Sequence, residues 1–385
     1  MNIVITPKKL CGSVTPPPSK SHTHRLLIAA ALADMPVHAP ADAVSDDISA
    51  TVRCLHALQE QQPLCDCGES GSTLRFLTPV AAALHGARFT GSGRLSERPM
   101  EPLLSLLRDH GCTISEDKLP FTVSGGLQSG VYALRGDVSS QFVTGLLFAL
   151  PLLDGSSEII LTTPLQSRGY VDMTLQVLAQ FGIEILEKDS GFLIPGGQRY
   201  APCDSAVDGD YSGAAFYGAM NALGSQVNVT GLLPDSLQGD RVYMRHMESL
   251  CQGCPQIDLS DCPDLGPVLF AVAAAKNGAV FTGTRRLKIK ESDRAEAMAQ
   301  ELAAFGTTVK VEENTVTVTP TAFRKPERVL CGHNDHRIVM ALAVLLMVTG
   351  GQIQGAQAVR KSFPDFFQKL EQLGIEVQTI ETDNG

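Results

Sequence analysis

Cations and hydroxyl side chains occur together in this sequence wherever a loop leads into an apolar helix pattern. In PSKSHTHR, Lys20 and Arg25 lie at the start of a helix that Ser19 or Ser21 can cap. The free N–H groups and the positive dipole of a helix N-terminus attract anions, and added cations strengthen that attraction. Nine of the 31 lysines and arginines occupy such junctions: Lys20, Arg25, Arg75, Arg98, Arg168, Lys290, Arg294, Arg337 and Lys361. Because each charge-assisted contact contributes roughly 1.5–3 kcal/mol, this set suits a small, multiply charged anion.

Small and hydroxyl residues at other junctions could complete such a site. CGESGSTLRFL lets backbone N–H groups approach a ligand around Gly71, although it lacks the GxxxxGK[ST] spacing of a nucleotide-triphosphate loop. VSSQF and QSRGY add Ser139, Ser140, Gln141, Ser167 and Tyr170. At any one of these motifs an ordinary helix cap with solvated cations is the alternative interpretation.

Two carboxylates in the second half could move protons. Asp264 in DCPDLGP and Glu291 in KESDR are candidate bases, and Lys20 and Lys361 are candidate acids or charge stabilisers. From the residues alone we expect a transferase or lyase that acts on phosphorylated acids.

The elements that must position these residues repeat along the chain. A helix pattern, a glycine and an alternating strand pattern recur around Gly111, Gly182, Gly253, Gly306 and Gly374, at spacings of 71, 71, 53 and 68 residues. Each glycine suits a left-handed helix end, and strands such as Ile183–Ile185 should follow. Six α/β units of about 64 residues would fill the 385 residues, three to each of two domains. Chance similarity of amphipathic helices is the alternative.

Composition excludes several classes of protein. With 31 Lys and Arg against 41 Asp and Glu, the net charge of −10 is unlike that of a nucleic-acid-coating protein. No apolar run reaches the roughly 18–20 residues of a membrane helix, and MNIVITPKKL has no secretion signal. Ten irregularly spaced cysteines suggest neither disulfides nor a zinc site. We therefore expect a cytoplasmic monomer with reduced thiols, no metal, and small-molecule substrates rather than nucleic acid or membrane.

In family order, SKSHTHR, SSQF, KESDR and NDHR resemble the motifs of the 5-enolpyruvylshikimate-3-phosphate (EPSP) synthase family. The similarity runs from PSKSHTHR to KSFPDFF, nearly the whole chain. It implies transfer of the enolpyruvyl group of phosphoenolpyruvate to the 5-hydroxyl of shikimate 3-phosphate. The reaction would pass through a tetrahedral intermediate that loses phosphate, in aromatic amino acid biosynthesis, with no metal or organic cofactor.

The resemblance also implies which residues contact each substrate. Those on the phosphoenolpyruvate side would be Lys20, Gly71, Ser72, Arg98, Gln141, Arg294, Arg337 and Lys361. Those on the shikimate 3-phosphate side would be Ser21, Arg25, Ser139, Ser140, Gln141, Ser167, Tyr170, Asp264 and Lys290. The catalytic residues would be Asp264, Glu291, Lys20 and Lys361.

The fold implied is α/β (α+β) with two domains, each of three βαβαββ units around a pseudo-threefold axis. We expect one domain at residues 20–208 and a discontinuous one at 1–19 plus 209–385, with chain crossings near 13–20 and 206–210. Closure of the domains would bring the two sets of residues around the substrates.

Three positions depart from the family pattern. Glu69 stands where Asn is common, Ser72 replaces Thr, and Arg286 occupies a position that is Asn in some members. Glu69 would repel phosphoenolpyruvate unless it points away or pairs with a cation such as Arg75. Gly71 matches the small position where glyphosate packs in sensitive members, so we expect glyphosate to inhibit this protein.

Two alternative functions stay open. In the related UDP-N-acetylglucosamine enolpyruvyl transferases the early Lys precedes Asn and a mobile loop carries a reactive Cys, whereas here Ser21 follows Lys20 and residues 91–99 contain no Cys. A non-catalytic metabolite-binding relative is the other alternative, and retention of Asp264, Glu291 and Lys361 argues against it.

Overall fold

Capped apolar helices alternate with short strands along the chain, as the repeated pattern predicts. The structure is a computed structural model, and it describes residues 1–38, 41 and 44–380. The chain divides into two units: unit 1 is Met1–Pro17 with Asp208–Gly385, and unit 2 is Pro18–Val207. The expected domain boundaries, after residues 19 and 208, differ from these bounds by two residues and one residue.

Helices and strands of the described residues are numbered separately in chain order. The helices are α1 (Lys20–Leu32), α2 (Asp46–Ala57), α3 (Gly71–Ala83), α4 (Glu101–Asp109), α5 (Ser140–Ala149), α6 (Arg168–Gln180), α7 (Tyr211–Ala222), α8 (Tyr243–Gln252), α9 (Gly266–Ala275), α10 (Arg294–Ala303), α11 (His336–Thr349) and α12 (Phe366–Gln372). The strands are β1 (Asn2–Ile5), β2 (Cys11–Val14), β3 (Leu64–Asp66), β4 (Gly86–Thr90), β5 (Phe121–Ser124), β6 (Val131–Leu134), β7 (Ser157–Leu161), β8 (Leu186–Lys188), β9 (Gly191–Ile194), β10 (Gln226–Val229), β11 (Gln256–Asp258), β12 (Ala279–Thr282), β13 (Thr308–Val311), β14 (Thr315–Thr319), β15 (Leu330–Cys331), β16 (Gly351–Gln354) and β17 (Val377–Ile380).

Four sheets share one topology, a parallel pair of strands extended by antiparallel strands. Unit 1 has the orders β11-β12-β14-β13 and β15-β16-β1-β17, and in the latter β1 pairs with both β16 and β17. Unit 2 has β6-β7-β9-β8 and β3-β4-β5, and an Ile114–Val123 bridge extends the latter. The α/β class predicted from the sequence is confirmed.

Two of the six expected units are reduced. In unit 1 the parallel pair β10-β2 replaces a full sheet. In unit 2, α1 and α2 precede β3 without a strand of their own among the described residues. Within residues 1–38, 41 and 44–380, the regular βαβαββ pattern is therefore seen in four places.

The predicted helix-ending glycines are left-handed at four of five positions. Gly111, Gly182, Gly306 and Gly374 have φ of 95°, 77°, 81° and 96°. The prediction is wrong for Gly253, whose φ of 179° is extended. Pro255 disfavours helical backbone at Cys254, the residue directly before it, so the chain becomes extended close after the end of α8. The strand expected from Ile183 begins later, at Leu186.

Helices buried nearly all round form the two cores, as expected for sequences with no polar face. They are α7, α9 and α11 in unit 1 and α1, α3 and α5 in unit 2. Only the ends of such helices can carry polar groups toward a ligand. The polar motifs of the sequence accordingly lie at or just before these N-termini. Among the helices of the described ranges, none combines the length and the apolar character needed to cross a membrane.

Candidate active site

Serine caps fix where three helices of unit 2 begin. Ser19 caps α1, Ser70 caps α3 and Ser139 caps α5, each accepting a hydrogen bond from a backbone N–H in the first turn. Of the two serines considered for α1, Ser19 is the cap, and Ser21 lies within the first turn. The caps hold Lys20, Gly71, Ser72 and the Ser140–Gln141 pair at helix N-termini, where the free N–H groups favour an anion.

Lys20 is held by a carboxylate that the sequence analysis missed. Its Nζ lies 2.6 Å from Oδ2 of Asp47, and the two side chains are only 17% and 9% exposed. Asp47 lies in the first turn of α2, where acidic residues are common for reasons of helix stability alone. For this reason, its position in the sequence does not mark it as a site residue. The pair fixes one of the three donors of the ammonium group and leaves the others for a ligand.

Gly71 and Arg98, both expected on the phosphoenolpyruvate side, are in direct contact. A Cβ atom at position 71 would lie 2.5 Å from Nη1 and 2.6 Å from Cζ of Arg98. The guanidinium therefore rests against the first residue of α3, and only glycine leaves it room. Arg98 adds a full charge to a helix N-terminus that already favours anions.

Arg75 orients Gln141. Nη1 of Arg75 donates to Oε1 of Gln141 at 2.8 Å, and Nη2 donates to the carbonyl of Pro99 at 3.0 Å. The amide of Gln141 is thereby fixed, and its Nε2 donates to Oγ of Ser72 at 2.8 Å. Because Ser72 Oγ accepts this bond, its own hydrogen can point to a ligand. Arg75 is buried over the ring of Phe142, so it positions the site from behind.

Arg25 is a buried cation whose described partners are neutral oxygens. It donates to the hydroxyls of Thr174 (2.8 Å) and Thr144 (3.4 Å) and to the carbonyls of Ser21 (2.6 Å) and Tyr170 (2.9 Å). Burial lowers its pKa. Across residues 1–38, 41 and 44–380, no carboxylate lies within 4 Å of this guanidinium. A buried charge without a counterion is costly, so an anionic ligand here would be stabilised.

Ser167 and Arg168 begin α6 in different roles. Ser167 takes the left-handed backbone conformation, with φ of 57°, and is buried. Arg168 instead pairs with Asp172 at 2.5 Å and Glu187 at 2.8 Å. Arg168 is one of the nine cations at loop–helix junctions, and in the structure it forms ion pairs with partly exposed carboxylates.

In unit 1, Asp264 lies among three cations just before α9. Its Oδ1 accepts hydrogen bonds from Lys290 Nζ at 3.0 Å and Arg294 Nη1 at 2.8 Å, and its Oδ2 lies 3.8 Å from Arg337 Nη2. Burial alone would raise the pKa of Asp264, but Lys290, Arg294 and Arg337 together hold it well below its ordinary value. The carboxylate stays ionised, and it could accept a hydrogen bond from a substrate hydroxyl.

Arg294 binds three carboxylates at once. Its Nε donates to Asp335 Oδ2 at 2.9 Å, Nη1 to Asp264 and Nη2 to Glu291 Oε2 at 2.7 Å, and its side chain is 1% exposed. Those carboxylates raise its pKa in spite of burial. The residue thus joins the predicted bases Asp264 and Glu291 to the start of α11. Most of its donors are taken up by the protein itself.

The loop before α11 organises the remaining cations. Asp335 caps the helix by accepting from the backbone N–H of Arg337 at 2.9 Å, and Ser292 Oγ donates to it at 3.0 Å. Nζ of Lys361 donates to the carbonyl of Asn334 at 2.6 Å. The structure therefore brings Arg337 and Lys361 to one four-residue segment, Asn334–Arg337.

Asp240 is a second buried carboxyl group that the sequence analysis missed. It lies in the 3-10 turn Gly239–Val242, has no exposed surface, and accepts a hydrogen bond from Ser212 Oγ at the start of α7. Burial and the charge of Asp264 raise its pKa to about 7. The motif LQGD shows no helix or cation spacing that would have marked it.

The structure shows the surroundings of two residues that depart from the family pattern, Glu69 and Arg286. The Glu69 carboxyl lies against Gly93, where a Cβ would come within 2.6 Å of Cδ, while Arg75 donates to Gln141 and Pro99. Arg286 is buried and donates to the carbonyl of Ser260.

The site residues offer no metal-binding constellation. Over residues 1–38, 41 and 44–380, no group of three or more His, Cys, Asp or Glu side chains is arranged to hold an ion. The ten cysteines are free thiols.

Comparison with known proteins places this geometry in context. The family model for EPSP synthase (3-phosphoshikimate 1-carboxyvinyltransferase) matches residues 4–64 and 59–370. The 3-phosphoshikimate 1-carboxyvinyltransferase of Clostridium kluyveri is 39% identical, over 97% of this chain and 98% of that protein. The protein of the same name from Clostridioides difficile is 35% identical over 97% of each chain.

Solved structures show the same fold. The EPSP synthase of Acinetobacter baumannii superposes with a TM-score of 0.76 at 22% identity, over 98% of this chain and 100% of that one. The enolpyruvyl transferase NikO of Streptomyces tendae superposes with a TM-score of 0.73 at 14% identity, over 98% of each chain. These similarities confirm the expected enolpyruvyl transferase fold.

Proposed function

The chain belongs to the EPSP synthase family, and on that premise we propose that it transfers the enolpyruvyl group of phosphoenolpyruvate to the 5-hydroxyl of shikimate 3-phosphate, releasing phosphate. In this reaction the hydroxyl oxygen bonds to C2 of phosphoenolpyruvate while C3 gains a proton. The tetrahedral intermediate then loses phosphate from C2 and a proton from C3 as the double bond re-forms. Both substrates are anions, so the protein must hold like charges together and move two protons.

The observation that carries the proposal is the ion cluster around Asp264. A carboxylate kept ionised by Lys290, Arg294 and Arg337 can accept a hydrogen bond from the 5-hydroxyl and orient it for attack. The same cations would attract the negative charge of the substrates. We assign proton transfer to Asp264 and Glu291, in agreement with their shared contact to Arg294.

The cations of unit 2 fit the anionic groups of the two substrates. Lys20 lies at the start of α1, and Arg98 lies beside the start of α3. Together with the free N–H groups of these helices, the two cations would bind phosphoenolpyruvate. Arg25, whose described partners are neutral, would bind an anionic group of shikimate 3-phosphate near Ser21 and Tyr170. The proposal assigns these residues, with Lys361 and Arg337, to one reaction.

Phosphate release tests the proposal directly. Purified protein with phosphoenolpyruvate should release phosphate only when shikimate 3-phosphate is added, and the enolpyruvyl product should appear in equal amount. UDP-N-acetylglucosamine as acceptor is the matched control, because Ser21 and the absence of Cys in residues 91–99 disfavour that activity. Turnover with that acceptor alone, or binding of shikimate 3-phosphate without phosphate release, would contradict the proposal.

Variants of the two carboxylates test the chemistry. D264N and E291Q keep the side-chain shapes, so they should lower kcat about 100-fold or more while changing substrate binding far less. R98A should chiefly raise the KM for phosphoenolpyruvate. Wild-type kcat in both carboxylate variants would remove them from proton transfer.

The remaining expectations complete the proposal. We assign the two domains to the observed units, and we propose a monomer that acts in the cytoplasm. A single species at about 41.0 kDa in sedimentation at assay concentrations would support the monomer.

A further inference from the structure

The turn between β15 and α11 has an unusual backbone. His333 and Asn334, adjacent residues with side chains, have φ of 49° and 51°. The left-handed region costs most residues roughly 1–2 kcal/mol, although asparagine tolerates it better than others. Such conformations persist where the surroundings hold them, and they concentrate at functional sites. The contacts of this turn therefore indicate which residues stabilise its left-handed conformation and which residue it positions.

A buried carboxylate on α10 holds His333. Oε1 of Glu301 lies 2.9 Å from Nε2 of His333, and the carboxylate is 3% exposed. Its Oε2 accepts from Nη1 of Arg328 at 2.8 Å and from the backbone N–H of Cys331 at 3.1 Å. Burial alone would raise the pKa of Glu301, but His333, Arg328 and the Cys331 N–H lower it, so the carboxylate stays ionised. Glu301 thus ties the end of β15, at Cys331, and His333 within the turn to α10.

The next residue of the turn holds a lysine assigned to the reaction. The carbonyl of Asn334 accepts the hydrogen bond from Lys361 Nζ at 2.6 Å, and Lys361 is buried at the end of the 3-10 helix Ala356–Lys361. A lysine has a flexible four-carbon stem, so a fixed acceptor greatly limits where its ammonium group lies. If the turn relaxed to negative φ, the Asn334 carbonyl would rotate and this acceptor would be lost.

We propose that Glu301 and His333 are positioning residues for Lys361: their contact holds the left-handed turn, and the turn directs the Asn334 carbonyl at the ammonium group. The role of Lys361 in turnover rests on the proposed function, whereas its placement by the turn does not. Neither Glu301 nor His333 contacts a substrate in this scheme.

Two variants break the Glu301–His333 contact in different ways. E301Q removes the charge with little change of shape. H333N shortens the side chain but keeps a residue that accepts the left-handed conformation, so it serves if E301Q fails to fold. The matched control is R328A, which removes another partner of Glu301 from a 47% exposed position outside the turn. Thermal melting of each variant monitors folding.

Steady-state kinetics give the first readout. We expect E301Q and H333N to lower kcat/KM for phosphoenolpyruvate about tenfold, because Lys361 is assigned both to binding this substrate and to the reaction, and we expect R328A to match the wild type. In a K361A background, E301Q should cost less than twofold more, because it acts through Lys361. A full tenfold loss in that background would indicate a merely structural role and overturn the proposal.

Chemical labelling of Lys361 gives a second readout that needs no turnover. Acetylation by an N-hydroxysuccinimide ester, followed by peptide mass spectrometry, reports how firmly Nζ is held. We expect Lys361 to be labelled at least fivefold faster in E301Q and H333N, and at the wild-type rate in R328A. Unchanged labelling would overturn the proposal. If labelling responds as expected while the wild type shows no turnover, the proposed function fails and the positioning role stands.

Discussion

Placing a methyl group on Gly71 should move Arg98 and weaken phosphoenolpyruvate binding. The new Cβ would lie 2.5 Å from Arg98 Nη1, whereas ordinary contacts begin near 3.4 Å, so the guanidinium must retreat by about 0.9 Å. A charge-assisted hydrogen bond is worth roughly 1.5–3 kcal/mol. Losing most of one corresponds to a KM for phosphoenolpyruvate about 10- to 100-fold higher, at 1.4 kcal/mol per factor of ten.

The assay is phosphate release at varied phosphoenolpyruvate, with shikimate 3-phosphate saturating. In G71A the KM for phosphoenolpyruvate should rise while that for shikimate 3-phosphate changes less than about twofold. G253A is the matched control, since a Cβ there meets nothing within 4 Å and its backbone is extended. It should leave both KM values unchanged.

The double variant G71A/R98A distinguishes this mechanism from a direct clash between the methyl group and the substrate. If Gly71 acts by leaving room for Arg98, then G71A should cost little once Arg98 has been removed. Full additivity of the two effects, or a G71A KM within twofold of the wild type, would refute the reasoning.

Two further predictions concern the carboxyl groups that the sequence analysis missed. D47N should lower kcat/KM for phosphoenolpyruvate about 10- to 100-fold in steady-state assays, because the mostly buried Lys20 ammonium group loses its carboxylate partner. D46N is the control, since Asp46 is the exposed neighbour of Asp47. Equal effects of the two variants would contradict the role of the Lys20–Asp47 pair. D240N should change how stability depends on pH. Burial and the charge of Asp264 raise the pKa of Asp240 from its ordinary value of 3.8 to about 7 in the folded protein. Wild-type stability should therefore fall, by on the order of 1–4 kcal/mol, as pH rises through that window. Melting at pH 5 and pH 8 should show D240N gaining on the wild type, and parallel profiles would contradict this.

Local rules predicted the parts of the site that depend on neighbours in the chain. A serine before an apolar run caps a helix, and Ser19, one of the two serines considered for α1, does so. A glycine after such a run usually ends it left-handed, as at Gly111. These rules act within four residues, so one sequence is enough to apply them.

The partners of the charged residues could not be predicted in the same way. Lys20 and Asp47 are 27 residues apart, and Arg294 and Asp335 are 41 apart, so packing of helices decides that they meet. Arg168 illustrates the opposite error. Its motif resembles those of the other cations at loop–helix junctions, yet its guanidinium pairs with Asp172 and Glu187. Charge and spacing in the sequence identify candidate ligand-binding cations. Only the fold distinguishes a cation whose donors face a ligand from one whose donors are paired with carboxylates of the protein.

The carboxylates around these cations explain how an acidic protein can bind two anions. Buried lysines and arginines without partners would repel one another and destabilise the fold. Asp47 and Asp264 remove that cost before substrate arrives, and each takes only some of the donors on its cations. The remaining donors, with the N–H groups at the starts of α1, α3 and α11, are then already oriented. If these donors bind the substrates as proposed, binding energy need not be used to order flexible side chains, and it can instead be used to hold the bound anionic groups in place.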